Sequence, residues 1–283
     1  MSERTSLRGV IWRRFSRHKA AVASTAVFML LGLACALAPW IAPYPFDGID
    51  LDSVKQAPTL SHWMGTDDLG RDVFTRMLFG GRVSLLIGLL AATLGAGLGT
   101  AIGALAGYYG GVIDNALMRF TDVAYAIPSL PLLIILSAYS RAAVVATVLI
   151  IGLLSWMSTA RVVRSQVLTI REMDYVEAAR SIGASDLRIL LRHVIPNALG
   201  PILVGATLGI GNAILVESSL SFLGLGVQPP TPTWGNMLMD SQATMATKPW
   251  LTFFPGLAIA LVVLAVNFVG DALRDALDPG ATR

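Results

Sequence analysis

Apolar residues fall in long blocks along this chain, and polar residues are concentrated at the joints between the blocks. Six stretches, 20–41, 83–108, 117–139, 142–163, 199–222 and 250–272, are predominantly apolar. Each is about twenty residues or more, the length an α-helix needs to cross a bilayer. The pattern therefore predicts an all-α polytopic membrane protein with six transmembrane helices, because a helix satisfies its own backbone groups where there is no water. Residues 1–19 form a basic tail, 20–41 the first span, 42–82 a polar segment, 83–272 a five-helix core and 273–283 a second tail. Within 42–82, Leu69, Val73, Met77 and Leu78 recur at helical spacing with Arg71, Asp72 and Arg76 on other faces, which predicts an amphipathic helix lying at the interface before the second span.

Two spans carry internal signals. Gly95, Gly99, Gly103 and Gly107 are spaced by four, so they share one helix face where another backbone can approach closely; packing within the bundle is the expected use. Pro128 and Pro131 remove helical donors and are expected to kink the third span.

Composition agrees with this pattern. The chain has 283 residues, 54% hydrophobic and 14% charged, whereas a soluble domain carries roughly a quarter charged residues. The pI of 9.2 rests on a formal charge of +3, and the arginines flank apolar spans, so topology explains the basicity and no nucleic-acid partner is expected. Arg4, Arg8, Arg13, Arg14, Arg17 and Lys19 precede the first span, and Arg161, Arg164, Arg171, Arg180, Arg188 and Arg192 lie at the joint after the fourth. Both signals place these segments and both termini in the cytoplasm, and 42–82 outside. A signal peptide ending at Ala36-Leu37-Ala38 is not favoured, because the apolar run is long and Pro39 follows the cut. Cys35 stands alone and His18, His62 and His193 are scattered, so neither a disulfide framework nor a metal site is expected.

The joint after the fourth span has the densest local signals. Asp174 precedes Glu177 by three, a capping-box spacing, and predicts a helix over 175–182 that stops at Gly183. Ser185 is placed to cap a second helix through Val194, and Pro196 marks the return to the membrane. The expected product is a helix–turn–helix on the cytoplasmic face, with Ala178 and Ala179 forming a narrow ridge. On charge pattern alone a solvated amphipathic loop competes with this reading.

Glu177-Ala178-Ala179, Gly183 and Pro196 at this spacing resemble the EAA loop of ATP-binding cassette (ABC) importer permeases. Further ordered blocks resemble the dipeptide, oligopeptide and nickel branch: His62-Trp63-Met64-Gly65-Thr66-Asp67 with Gly70-Arg71-Asp72, Leu220 to Pro230 with Trp234-Gly235-Asn236, and Gly270-Asp271-Ala272-Leu273-Arg274-Asp275. His193, where the general pattern has an aliphatic residue, fits the same branch. The long segment after the first span resembles the C-type member of a permease pair. The resemblance implies a type I ABC importer permease-like bundle, multi-pass in the bacterial cytoplasmic (inner) membrane, with a coupling loop over 164–198. It implies that Tyr175, Glu177, Ala178, Ala179, Gly183, Ala184 and Asp186 dock an ATPase. The implied partners are a homologous second permease, two nucleotide-binding ATPase subunits and a periplasmic or lipid-anchored substrate-binding protein. ATP and magnesium would sit on the ATPase subunits, with no cofactor on this chain. The implied cargo is a peptide or related small solute.

Glu217 is the acid inside an otherwise apolar span. It lines a translocation path or gate, or its carboxyl is hydrogen-bonded to Ser218, Ser219 or a neighbouring helix. Asn212 is a second candidate for the path, although interhelical hydrogen bonding is the expected role for it and for Asn267. Asp271, Arg274 and Asp275 suggest a local ion-pair network, and Pro229, Pro230 and Pro232 an extended, stiff loop over 224–249. None of Lys19, Lys55 and Lys248 follows a glycine, so a P-loop is absent and this chain is not expected to be an enzyme. An ion-coupled secondary transporter is the alternative, with Glu217 as its candidate ionisable group.

Overall fold

The computed structural model describes residues 15, 16, 18–139 and 143–277. Arg4, Arg8, Arg13, Arg14, Arg17, Arg141, the expected start of the fourth span at Ala142 and the tail beyond Leu277 lie outside the described residues.

Among the described residues four helices are long and apolar enough to cross a membrane, and two bent helix pairs raise the number to six where each pair is counted as one broken span. The first helix, α1 (Lys19–Ala36), turns at Leu37 into α2 (Ala38–Ile41), whose first turn accommodates Pro39 because the amide missing there has no helical partner in any case. The expected interfacial helix before the second span is not a separate element. Val73 to Tyr109 forms one 37-residue helix, α3. Asp72 starts it by accepting from the Thr75 N–H at 2.7 Å, and no proline follows before the left-handed Gly110 ends it. Val73, Thr75, Arg76 and Leu78 are buried against protein rather than lying on a membrane surface.

The glycine face of α3 packs against α7 (Trp156–Ile170), the most extensive helix pairing in the fold. A Cβ at Gly99 would stand 2.6 Å from both the Thr159 Cβ and the Trp156 carbonyl oxygen. One at Gly103 would collide with the Ala160 carbonyl, and one at Gly107 would lie 2.8 Å from that of Arg164. The four-residue spacing thus serves close helix packing, as expected.

Both middle spans are broken. The third consists of α4 (Gly111–Ala126) and α5 (Ser129–Tyr139), which meet at 78°, a sharper break than the kink that Pro128 and Pro131 predict. The fourth consists of α6 (Val144–Leu153) and α7, bent by 42° without a proline. There Leu154 and Ser155 donate to the Ile151 and Gly152 carbonyls in tightened turns, and the Ser155 hydroxyl adds a 3.1 Å bond to Gly152 O.

Beyond α7 the chain forms α8 (Asp174–Ser181), a turn at Gly183 with φ +82°, and α9 (Asp186–Ile189). Residues 164–170 belong to α7, so the joint begins at Arg171 rather than at 164. Asp174 is the first residue of α8 and not its cap, a place taken by Met173 without a side-chain bond, so the expected capping box does not form. Pro196 does not end the second helix. A π turn (Leu190–Val194) and a 3₁₀ turn (Ile195–Ala198) absorb its missing donor, and Asp186–Phe222 runs as one apolar helical stretch into α10 (Leu199–Phe222). The loop over 224–249 holds a helix, α11 (Trp234–Ser241), opened by a Thr233–Asn236 capping box. The last helix is α12 (Trp250–Leu277). At its end Asp275 faces His18 at 3.9 Å, and no ion pair among the described residues joins Arg274 to Asp271 or Asp275.

Candidate functional site

At the end of the bundle where α3 finishes, α8 and α9 fold back onto the helices they connect. Val176, Ala179, Ile189, Leu190 and Val194 are buried together with Ala104, Tyr108, Val163, Val167 and Ile170, so the helix–turn–helix shares a core with α3 and α7. Polar contacts reinforce this seat. The Tyr108 hydroxyl donates to Asp186 Oδ1 at 2.8 Å, and Arg171 Nη1 donates to the Gly107 carbonyl at 3.0 Å. Arg164 grips Asp114 with two nitrogens, at 2.5 and 2.6 Å, tying the start of α4 to α7. Contact with the Tyr108 hydroxyl raises the pKa of Arg180.

The structure divides the expected docking residues. Tyr175, Glu177, Ala178, Gly183 and Asp186 are exposed, Ala184 is half-buried, and Ala179 faces the core. The surface ridge is therefore Ala178 alone, and its flanks are apolar: Ile182 is 85% and Leu187 62% exposed. These two residues were missed as candidates, although their place on either side of a glycine turn is readable in the sequence. Glu177 also borders a polar cleft of about 350 Å³ with Arg171, Glu172, Arg180 and Ser181. A rigidly seated element that exposes large apolar side chains at its tip, with charges beside them, has the character of a protein-binding surface.

A larger cleft of about 730 Å³ opens within the bundle, walled by α3, both broken spans and α10. Asn212 lies on its wall, and its amide makes no hydrogen bond to protein among the described residues, contrary to the expected interhelical role.

Glu217 is not part of that wall. It is fully buried towards the opposite end of the bundle, where its carboxyl accepts from the Ser84 hydroxyl at 3.0 Å and the Ser221 hydroxyl at 2.8 Å, with Ser218 at 3.5 Å. Ser219 bonds instead to the Leu215 carbonyl. Ser84 in turn accepts from the Trp234 backbone N–H, and the indole of Trp234 donates to the Met77 carbonyl at 3.0 Å. The carboxyl is thus the centre of a network that fastens α11 to α3 and α10. Glu217→Ala is expected to cost on the order of 3 kcal/mol, because it strands two buried hydroxyls, and Glu217→Gln distinctly less. Thermal unfolding of the purified protein in detergent checks the order of the two variants.

Next to this network, Arg71 and Arg76 share Asp67 and Asp240. Arg71 Nε lies 2.7 Å and Arg76 Nε 3.3 Å from Asp67, and both arginines reach Asp240 at 3.7 and 3.5 Å. Burial raises the Asp240 pKa against the opposing pull of Arg76 and Arg71. The two arginines expected on the polar faces of an interfacial helix therefore anchor α11 rather than face solvent.

Residues 99–283 match the family described as binding-protein-dependent transport system inner membrane component, and residues 6–58 match the N-terminal transmembrane domain of oligopeptide transport permease C. The chain is 45% identical over 269 residues to the glutathione transport system permease protein GsiD of Escherichia coli O6:K15:H31 (strain 536 / UPEC), a match covering 95% of this chain and 89% of the relative. The same figures hold for the protein of that name from Shigella boydii serotype 4 (strain Sb227). Among solved structures, an inward-facing form of the MetNI methionine ABC transporter aligns with a TM-score of 0.56 at 16% identity, covering 72% of this chain and 96% of the matched one. A second crystal form aligns at 0.53 and 18%, covering 70% and 94%.

Proposed function

Since the chain belongs to the family of binding-protein-dependent transport system inner membrane components, and so is the non-catalytic permease subunit of an ABC importer in the inner membrane, we propose that it passes peptides or related small solutes along the cleft beside Asn212 and takes its energy from an ATPase seated on α8 and α9. The observation that carries this reading is the construction of the α8–α9 unit. It is exposed at its tip yet shares a continuous core with α3 and α7, so a push on Ala178, Ile182 or Leu187 is delivered to the helices that wall the cleft.

In this reading Tyr175, Glu177, Ala178 and Asp186 make the contact, Gly183 shapes the turn, and Ala179 and Ala184 hold the unit to the bundle. The α8–α9 end and both termini are cytoplasmic, and the end carrying α11 is periplasmic. A homologous but different permease completes the path, two ATPase subunits bind ATP and magnesium and hydrolyse the ATP, and a periplasmic or lipid-anchored binding protein delivers cargo. The names of the GsiD relatives support a small peptide such as glutathione as cargo. Glu217, the candidate ionisable group of the ion-coupled alternative, belongs to the scaffold in this reading.

Cross-linking tests the seat. In a Cys35→Ser background, Ala178→Cys and Leu187→Cys are expected to form cross-links to an ATPase subunit in the assembled transporter, while Phe253→Cys near the other end forms none. Cross-linking of all three, or of Phe253→Cys alone, would refute the assignment.

A further inference from the structure

The cleft beside Asn212 has a chemical character that the docking surface and the scaffold do not share. Among the described residues its wall contains no charged side chain, and its polar groups are Tyr125, Ser129, Ser155, Ser158, Thr159 and Asn212. Arg161, whose guanidinium lies over the Tyr125 ring at 4.6 Å, is paired with Asp122 at 2.8 Å. Both helix breaks open on the same space, since Ile127, Pro128, Leu154 and Ser155 all line it. Irregular backbone at membrane depth is stable where it borders a cavity that offers partners. Neither Pro128 nor Pro131 can donate, so the carbonyls of Ala124 and Ile127 lose the donors that a continuous helix would supply. Across from the breaks, Asn212 presents an amide with no protein partner among the described residues.

We propose that the two helix breaks and Asn212 form the cargo-contacting wall of this half of the path, a hydrogen-bonding site matched to the N–H and C=O groups of peptide amides and indifferent to the cargo's net charge. This deepens the reading given under Proposed function and rests on it. Hydroxyls and a carboxamide each donate and accept, so they follow a sliding amide in either direction without holding one charge type. The volume suits a short peptide, as small-molecule sites span about 300–1,000 Å³. Discrimination by charge then belongs to the delivering partner and not to this wall.

The test is uptake by the complete transporter, with its binding protein, in proteoliposomes loaded with ATP. The cargoes are three tripeptides that differ only in a central glutamate, glutamine or lysine. For each peptide the rate with a variant is divided by the wild-type rate, which cancels the selectivity of the binding protein. Asn212→Asp and Ser158→Asp are expected to lower the ratio for the anionic peptide about fivefold or more below that for the cationic one, and Asn212→Lys to reverse the order, as expected for a single charge a few ångströms away in a wet cleft. Equal ratios for the three peptides would overturn the proposal. So would failure of all three variants to assemble, because a wall open to a water-filled cleft tolerates a charge. Absence of ATP-driven uptake of any peptide by the wild type would instead overturn the coupling reading on which the proposal rests.

Discussion

Gly99→Val is expected to open the seam between α3 and α7 and deprive the transporter of its folded core. At this position even a methyl group would stand 2.6 Å from the Trp156 carbonyl and the Thr159 Cβ, and a backbone carbonyl cannot rotate out of the way. Overpacking of this kind costs about 1–3 kcal/mol and occasionally more. The valine lies at the upper end, because Gly103 and Gly107 hold the two helices at the same close approach further along the seam. The helices would have to separate at all three positions to relieve the clash at one. Gly97→Val is the control: no atom lies within 4 Å of a Cβ there, so its unfolding midpoint in detergent should stay near wild type. Equal losses from the two variants would mean that helix propensity, and not close packing, sets the cost.

The second large effect is expected at Gly183. Its φ of +82° places it in the left-handed region, and nothing lies within 4 Å of a Cβ added there, so any cost of substitution comes from the backbone. Gly183→Ala keeps the turn at a penalty of about 1–2 kcal/mol. Gly183→Pro cannot keep it, because the proline ring fixes φ near about −65°. The change then distorts the turn between α8 and α9 and breaks up the exposed ridge of Ala178, Ile182 and Leu187, while the seam between α3 and α7 stays intact. Gly183→Pro is therefore expected to lower the amount of ATPase that co-purifies with the tagged chain about tenfold or more, which corresponds to a loss of about 1.4 kcal/mol in binding. Gly183→Ala should lose much less. The same amount of ATPase with both variants would place the docking surface elsewhere.

These two glycine positions also mark what the sequence makes legible. Four-residue glycine spacing has one ready physical use in a helix, and a glycine between two capping signals has one in a turn, so both were readable without coordinates. The all-helical membrane-spanning character was readable for the same reason, since length and apolarity suffice. What could not be read was where a span breaks. The 42° bend at Leu154–Ser155 has no proline, and it comes from a serine bonding to its own backbone while Gly95 leaves room for the hydroxyl, a long-range fact. Pro196 gave the opposite error, because a π turn followed by a 3₁₀ turn carries the helix through a residue that normally ends one. Glu217 and Asn212 looked alike as polar residues in one apolar span. Only the hydrogen bonds that Ser84 and Ser221 make to the acid, and the lack of any to the amide among the described residues, separate a scaffold residue from a cleft residue. The ridge was half legible, because one of its two alanines turns inward to complete the core with Val167 and Ile189.

The central claim is that this permease draws its energy from an ATPase through the α8–α9 unit. The most direct test is uptake of a small peptide into proteoliposomes holding the assembled transporter, with ATP inside and all ion gradients collapsed by ionophores, for the wild type and for Gly183→Pro. The account predicts accumulation by the wild type that requires ATP, and none by the variant. Accumulation that survives ATP removal but disappears with the ion gradients, or full ATP-driven uptake by Gly183→Pro, would contradict it.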